Sequence, residues 1–299
     1  MARNSRTIRA RTPSLGTAAV LSFHAMHTLR CRLSDSLWQA LQARHRATGE
    51  SIEHIARAAL ADHLQVDHST LFQISSSAAL VEGIYKGEVT VGALREHGDF
   101  GLGTFAELDG EMILVDGRCH QVRSDGVARE AGDDARTPFA IVTRFVPDRS
   151  VNDVACATLA ELSTQLDALR DSQNVFYAIR IDGEFARLHT RAMCRTDDGV
   201  PLVEAAAHQP EFELTSVRAT MIGFWSPAYA RTLSVPGYHL HVLTADRQAG
   251  GHVLGCQGRG LRVQLQRELD LRVSLPHSAE FLKAELTRDT AADLDKAEH

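Results

Sequence analysis

Polar and apolar positions first alternate at TLRCRL, residues 28–33, which predicts a short strand with Leu29, Cys31 and Leu33 on one face. A helical period follows. Ser34 can cap a helix that begins at Asp35, whose carboxylate suits the positive end of the helix dipole. Leu37, Ala40 and Leu41 form its apolar stripe, and Gly49 stands where a left-handed residue would end it. Ser51 can cap a second helix. Its Ile52, Ile55, Ala56, Ala59, Leu60 and Leu64 recur at the spacing of one buried face.

Beyond residue 66 the texture changes. Asp-Gly dipeptides at 109–110, 116–117, 125–126, 182–183 and 198–199 each signal a hairpin turn. Between them, Met112 to Val115, Phe139 to Phe145 and Val175 to Ile181 read as strands. Leu159, Leu162, Leu166 and Leu169 keep helical spacing, as residues 78–85 do weakly. The pattern predicts a sheet-rich α+β fold without internal repeats.

Composition narrows the class. The chain of 299 residues is 44% hydrophobic and 23% charged, which excludes a disordered chain, a coiled-coil rod or a collagen-like repeat. The longest weakly charged apolar stretch, Leu15 to Phe23, falls far short of the ~20 residues that span a bilayer. Five cysteines, widely spread and without a C-x-x-C pair, argue against a disulfide scaffold and for a reducing, cytoplasmic setting.

Charge is unevenly distributed. Residues 1–34 hold Arg3, Arg6, Arg9, Arg11, Arg30 and Arg32 and no acid, leaving 26 basic against 38 acidic residues beyond them, a net of −12. A basic arm on an acidic body confines any nucleic-acid or membrane-surface contact to the N-terminus. Residues 1–27 read as a disordered arm, or as an extension upstream of a chain starting at Met26. A signal peptide fits less well, because Phe23 and His24 spoil a small-residue cleavage site. The expected organisation is an arm over 1–27, a strand–helix–helix unit over 28–66 and a main domain over 67–299.

The strongest chemical pattern is His239 and His241, which share a strand face, followed by His252 beyond the turn-rich segment TADRQAGG. A hairpin there would bring His252 opposite His241. Three histidines without a cysteine suit a catalytic zinc with an open position. Spacing alone leaves open that they are unrelated strand residues in a chain with 15 histidines. GLGTFA at 101–106 fits the dinucleotide fingerprint but lacks the buried strand before it and the helix after it, so it is set aside.

Two resemblances add to this reading. TLRCRLSDSLWQALQARHRATGESIEHIARAAL at 28–60 resembles a ribbon–helix–helix DNA-binding module, the alternative being a helical hairpin packed on the main domain. HGDFGLGTFAELDGEMILVDG at 97–117, FYAIRIDGEFARLHTRAM at 176–193 and GFWSPAYARTLSVPGYHLHVLTADRQAGGHVLG at 223–255 resemble α-acetolactate decarboxylase, from about Ser69 to the C-terminus. The second resemblance implies a mixed sheet joined to a smaller barrel-like β-domain. It also implies a zinc enzyme that converts 2-acetolactate to acetoin and carbon dioxide. By position it implies zinc ligands at His239, His241 and His252, an active-site arginine at Arg191, and glutamates at Glu111 and, on a short match, Glu298. Thr104 is a further pocket candidate. His120 departs from the family pattern, which has an aromatic there, and reads as strand packing or support behind the ligands.

The implied chemistry suits these residue types. 2-Acetolactate is a β-keto acid, so its ketone is the electron sink and no thiamine or pyridoxal cofactor is required. Zinc would act as a Lewis acid, Arg191 would hold the carboxylate, and Glu111 or Glu298 would return a proton to one face. The first resemblance implies a homodimer with Thr28, Arg30 and Arg32 facing DNA. Three functions follow: a decarboxylase with a DNA-binding arm, a regulator whose domain only senses acetolactate or acetoin, or an enzyme whose N-terminal segment merely dimerises.

Overall fold

The computed structural model describes residues 29–48, 51–64 and 69–298. Leu29 and Arg30 belong to a separate N-terminal unit and carry no regular structure; Cys31 onward forms the other unit. Two helices open it, α1 (Asp35–Thr48) and α2 (Ile52–Leu64). Both caps form as expected: Ser34 Oγ accepts from the Leu37 amide at 3.3 Å and Ser51 Oγ from the His54 amide at 3.0 Å. The strand expected over residues 28–33 is not formed. Thr28 and Gly49 lie outside the described residues, and Leu29 to Ser34 are irregular. Among the described residues no strand edge pairs with this segment, and unpaired backbone groups favour solvation over extension.

The body follows in chain order: β1 (Thr70–Ile74), α3 (Ser77–Val81), β2 (Val89–Thr90), α4 (Val91–His97), β3 (Phe100–Thr104), β4 (Glu111–Val115), β5 (Arg118–Val122), β6 (Ala128–Glu130), β7 (Arg136–Thr137) and β8 (Phe139–Thr143). Then come β9 (Arg149–Cys156), α5 (Leu159–Leu169), β10 (Phe176–Arg191), α6 (Leu202–Ala206), β11 (Glu211–Ser226), β12 (Gly237–Thr244), β13 (Gly250–Glu268), β14 (Asp270–Ser274), α7 (Ala279–Lys283) and α8 (Ala291–Glu298). One sheet has the order β14-β1-β8-β3-β4-β5-β6, antiparallel except for the β1–β14 pair. The other has the order β10-β11-β12-β13-β9, and β13 also pairs with β10, so β10 to β13 close a cycle. No helix among the described residues is long and apolar enough to cross a membrane.

Alternation along the strands divides the core. Ile113 and Val115 of β4 join Ala178, Ile222, Phe224 and Leu243 of the second sheet in a core between the sheets. Met112 and Leu114 face the opposite way, with Val91 and Leu94 of α4. A third cluster gathers Ile179, Ile181, Met221, Leu240, Val242 and Val263 under Leu162 and Leu166 of α5.

Turns form at Gly110, Gly117, Gly126 and Gly199, all with positive φ. The turn expected at Asp182-Gly183 is absent, because β10 runs through it with a register shift between Asp182 and Glu184. There Asp182 is held by Arg180 at 2.8 Å and by the Thr220 hydroxyl at 2.8 Å. The fingerprint-like glycines Gly101 and Gly103 lie in β3, between β4 and β8. A Cβ on Gly103 would stand 2.3 Å from the Phe139 carbonyl oxygen, so this glycine serves close backbone approach and not phosphate binding.

Candidate active site

The site lies between the two sheets, where β12 turns His239 and His241 away from Leu240 and Val242. The hairpin from Thr244 to Gly250 returns the chain so that His252 pairs directly with His241. On its other side His252 pairs with Arg191, the last residue of β10. Directly opposed residues of an antiparallel sheet project to the same side, so His241, His252 and Arg191 form one row. Gly251 permits this junction. Its φ of +135° is poorly accessible to other residues, and a Cβ would stand 2.5 Å from the Arg191 carbonyl oxygen.

The three imidazoles have ring centroids 5.1, 5.1 and 5.4 Å apart, and one ligand atom of each lies within 4.8 Å of the others. All three are buried. The His241 Nδ1 stands 2.9 Å from the Met112 carbonyl oxygen, an acceptor, so Nδ1 carries the hydrogen and Nε2 is left with its lone pair. Donors of this kind fit a borderline metal ion, and an all-imidazole set without thiolate leaves room for a further ligand.

Glu111 opens β4 directly after the Asp109-Gly110 turn, opposite Thr104 of β3. Its carboxylate accepts the Met193 amide at 3.1 Å and places Oε2 3.5 Å from His241 Nε2. Thr104 donates its hydroxyl to the Gly110 carbonyl at 2.9 Å, which ties down the turn that aims Glu111. Thr104, Glu111, Arg191, His239 and His252 line one small cavity of about 40 Å³. Arg191 and Glu111 are buried, so a cation and a carboxyl face a space from which bulk water is largely removed.

The cavity's other walls are apolar, from Leu80, Phe139, Leu202, Val235 and Leu294 among others. Sequence reasoning missed these positions because an apolar residue facing a cavity has the same local signature as one facing the core. Ala297 of α8 also lines the cavity, which brings the C-terminal helix to the site. Glu298 is the last residue of that helix, and its side chain lies outside those described. His120 is buried on β5, opposite Ile113 and Glu130. Burial, reinforced by the Arg247 charge, lowers its pKa and keeps the ring neutral. It does not line the cavity. Of the positions expected to meet DNA, Arg30 and Arg32 are exposed on an irregular segment, and Thr28 lies outside the described residues.

Residues 71–288 match the family described as alpha-acetolactate decarboxylase. The Bacillus subtilis alpha-acetolactate decarboxylase is 38% identical over 232 residues, 77% of this chain and 91% of that protein. The Methylococcus capsulatus alpha-acetolactate decarboxylase is 41% identical over 234 residues, 78% of this chain and 90% of that protein. The crystal structure of the alpha-acetolactate decarboxylase from Bacillus subtilis strain 168 superposes with a TM-score of 0.74 at 37% identity, covering 77% of this chain and 99% of that one. The family match begins within β1 and leaves α1 and α2 outside it.

Proposed function

The chain belongs to the alpha-acetolactate decarboxylase family, a family of carboxy-lyases, and from that premise we propose that His239, His241 and His252 hold a catalytic zinc ion beside Arg191 and Glu111. The observation that carries the proposal is the row His241, His252, Arg191 across three paired strands, with Glu111 Oε2 3.5 Å from His241 Nε2. When bound, the zinc supplies Lewis acidity toward the negative charge that develops as carbon dioxide leaves.

The chain's own residues supply the rest. Arg191, buried in the cavity wall, offers a forked pair of N–H donors to the carboxylate of 2-acetolactate and fixes which bond faces the site. As the carbon–carbon bond to that carboxylate breaks, its electron pair passes toward the adjacent ketone. The protonated carboxyl of Glu111 then returns a proton to one face of the product skeleton and is reprotonated from water. The Met193 amide orients the Glu111 carboxyl, and Thr104 acts through the Gly110 turn. Glu298 is the second candidate donor, supported by the place of its helix against the cavity. The apolar walls exclude water from the developing charge. The cycle of β10 to β13 is our candidate for the barrel-like β-domain that the resemblance implies.

The test is acetoin formation from racemic 2-acetolactate by the full-length chain. Enzymatic acetoin enriched in one enantiomer, lost in Arg191→Ala, is the expected result. A metal-loaded chain that produces acetoin no faster than the spontaneous reaction would replace the enzyme with the sensing regulator.

A second reading concerns the N-terminal segment, proposed as a ribbon–helix–helix module that dimerises the cytoplasmic enzyme and contacts DNA through Thr28, Arg30 and Arg32. It is supported by apolar residues that the chain leaves exposed: Leu37 at 50%, Trp38 at 43%, Leu60 at 46% and Leu64 at 65%. In this reading the strand forms only when two chains pair their edges. Gel-shift measurements at low salt should show binding that the double variant Arg30→Ala/Arg32→Ala loses while keeping activity. Full-length protein that is monomeric by light scattering and binds no DNA would reduce α1 and α2 to packing elements.

A further inference from the structure

Two buried cysteines stand apart from the active site. Cys156 ends the edge strand β9, and Cys256 lies within β13, the strand that carries His252. Across the β9–β13 ladder Cys156 is paired with Gly258, which has no side chain to interpose. Cys256 is two residues from Gly258 on β13 and so projects to the same face. The two sulfurs meet there at 3.9 Å. A disulfide needs them at about 2.05 Å. Small χ1 rotations and a shift at the end of an edge strand are the motions required, and the ladder is already irregular just beyond Gly258.

Access and reactivity favour the same residue of the pair. Cys156, together with Glu161, Glu184, Phe185, Arg218 and Arg259, lines a cleft of about 770 Å³ that shares no lining residue with the catalytic cavity. The contact with Cys256 lowers the Cys156 pKa, which favours the thiolate. Cys256 is pushed up by the same contact and by burial, and it remains a thiol. Cys156 lines the cleft and Cys256 does not, which sets the first as nucleophile and the second as resolving group.

We propose that Cys156 and Cys256 are a redox modification site, which a small hydroperoxide entering the cleft converts to an intramolecular disulfide stapling β9 to β13. In the first step the Cys156 thiolate attacks the peroxide, the O–O bond breaks, Cys156 becomes a sulfenic acid and hydroxide leaves. In the second, the Cys256 sulfur displaces the sulfenic hydroxyl as water. The balance is two thiols and one hydrogen peroxide giving one disulfide and two waters. The two sulfurs are oxidised and the peroxide is reduced. Excess thiol reverses the bond by exchange. The loop closed is long, so the oxidised chain should melt higher, on the order of 10 °C. None of this depends on the zinc or decarboxylase assignment.

The experiment uses the full-length reduced protein treated with hydrogen peroxide, digested without reductant and mapped by mass spectrometry. The expected product is one cross-linked peptide pair containing Cys156 and Cys256, two hydrogens lighter than the free peptides, with a raised melting temperature that dithiothreitol reverses. In Cys256→Ser the cross-link is expected to vanish while Cys156 is captured as a sulfenic acid by dimedone. The wild-type map alone decides the matter if that variant fails to fold. Cys156 and Cys256 peptides that remain reduced at a peroxide dose that oxidises the exposed Cys31 would overturn the proposal. So would a cross-link joining either residue to a different cysteine.

Discussion

The sheet body and the α1–α2 pair treat their apolar residues in opposite ways. In the body most apolar strand positions are buried, and Thr104, Glu111, Arg191, His239 and His252, polar groups within that interior, line one cavity. In the helical pair the sequence prepares an apolar stripe of the same quality, yet Ile55 is covered while Leu60 and Leu64 remain exposed. The difference is one of partners. The body closes its own faces, sheet against sheet, and the enclosed volume excludes water from charged groups that would otherwise be screened. Among the described residues, the helical pair leaves Leu37, Trp38, Leu60 and Leu64 exposed, and an exposed apolar patch of that kind is suited to association. The proposed chemistry and the proposed association thus occupy different regions, which predicts that each can be perturbed without the other.

The largest expected effect is at the histidine cluster. His241→Ala should lose bound metal and reduce kcat/KM by ~10³ or more, since Lewis-acid stabilisation contributes several kcal/mol, while oligomeric state stays unchanged. Stoichiometric metal by inductively coupled plasma mass spectrometry, with full activity, would remove His241 from the ligand set. Next is Glu111→Gln, which keeps the shape of the cavity and should cost ~10²–10⁴ in kcat. Normal turnover with unchanged product stereochemistry would transfer the donor role to Glu298.

The sequence disclosed these groups unevenly. His239, His241 and His252 were legible because strand alternation and one short hairpin bring them together within a few residues. Glu111 and Arg191 were legible only through resemblance, since their neighbours in space come from β12 and β13, far along the chain. The parallel pairing of β1 with β14 and the approach of α8 to the cavity leave no local signal, being long-range contacts. The Asp182-Gly183 turn misled for a physical reason: the aspartate's partners are side chains across the sheet, so it supports a strand where it would usually cap a turn.

Replacing apolar groups on the helical pair should act on association alone. In Trp38→Ser/Leu60→Ser we expect a weaker dimer by sedimentation and unchanged kcat/KM. Lost activity with an unaltered sedimentation profile would break the separation of roles.

Within the body, burial holds the Glu268 carboxyl up at about 8, whereas the unfolded chain releases that proton near ~4.3. Between these values the folded state binds more protons than the unfolded state, so this group's contribution to stability falls as pH rises. Glu268→Gln should flatten the decline in melting temperature from about pH 5 to 8 and add a few degrees at the upper end. An unchanged slope would assign the pH dependence to other groups. The smallest effect is expected at Arg57, whose half-exposed pair with Asp148 at 2.8 Å spans α2 and the body. Arg57→Ala should cost ~0–1 kcal/mol by denaturant titration and nothing in turnover.

The central claim is that the body's three histidines hold the metal on which decarboxylation depends. Its most direct test follows metal content and acetoin formation together while the full-length protein is stripped with a chelator and titrated with zinc. Activity that disappears with the metal and returns in proportion to zinc, reaching its plateau at one ion per chain, is the predicted result. Full activity in protein stripped of every metal would contradict it.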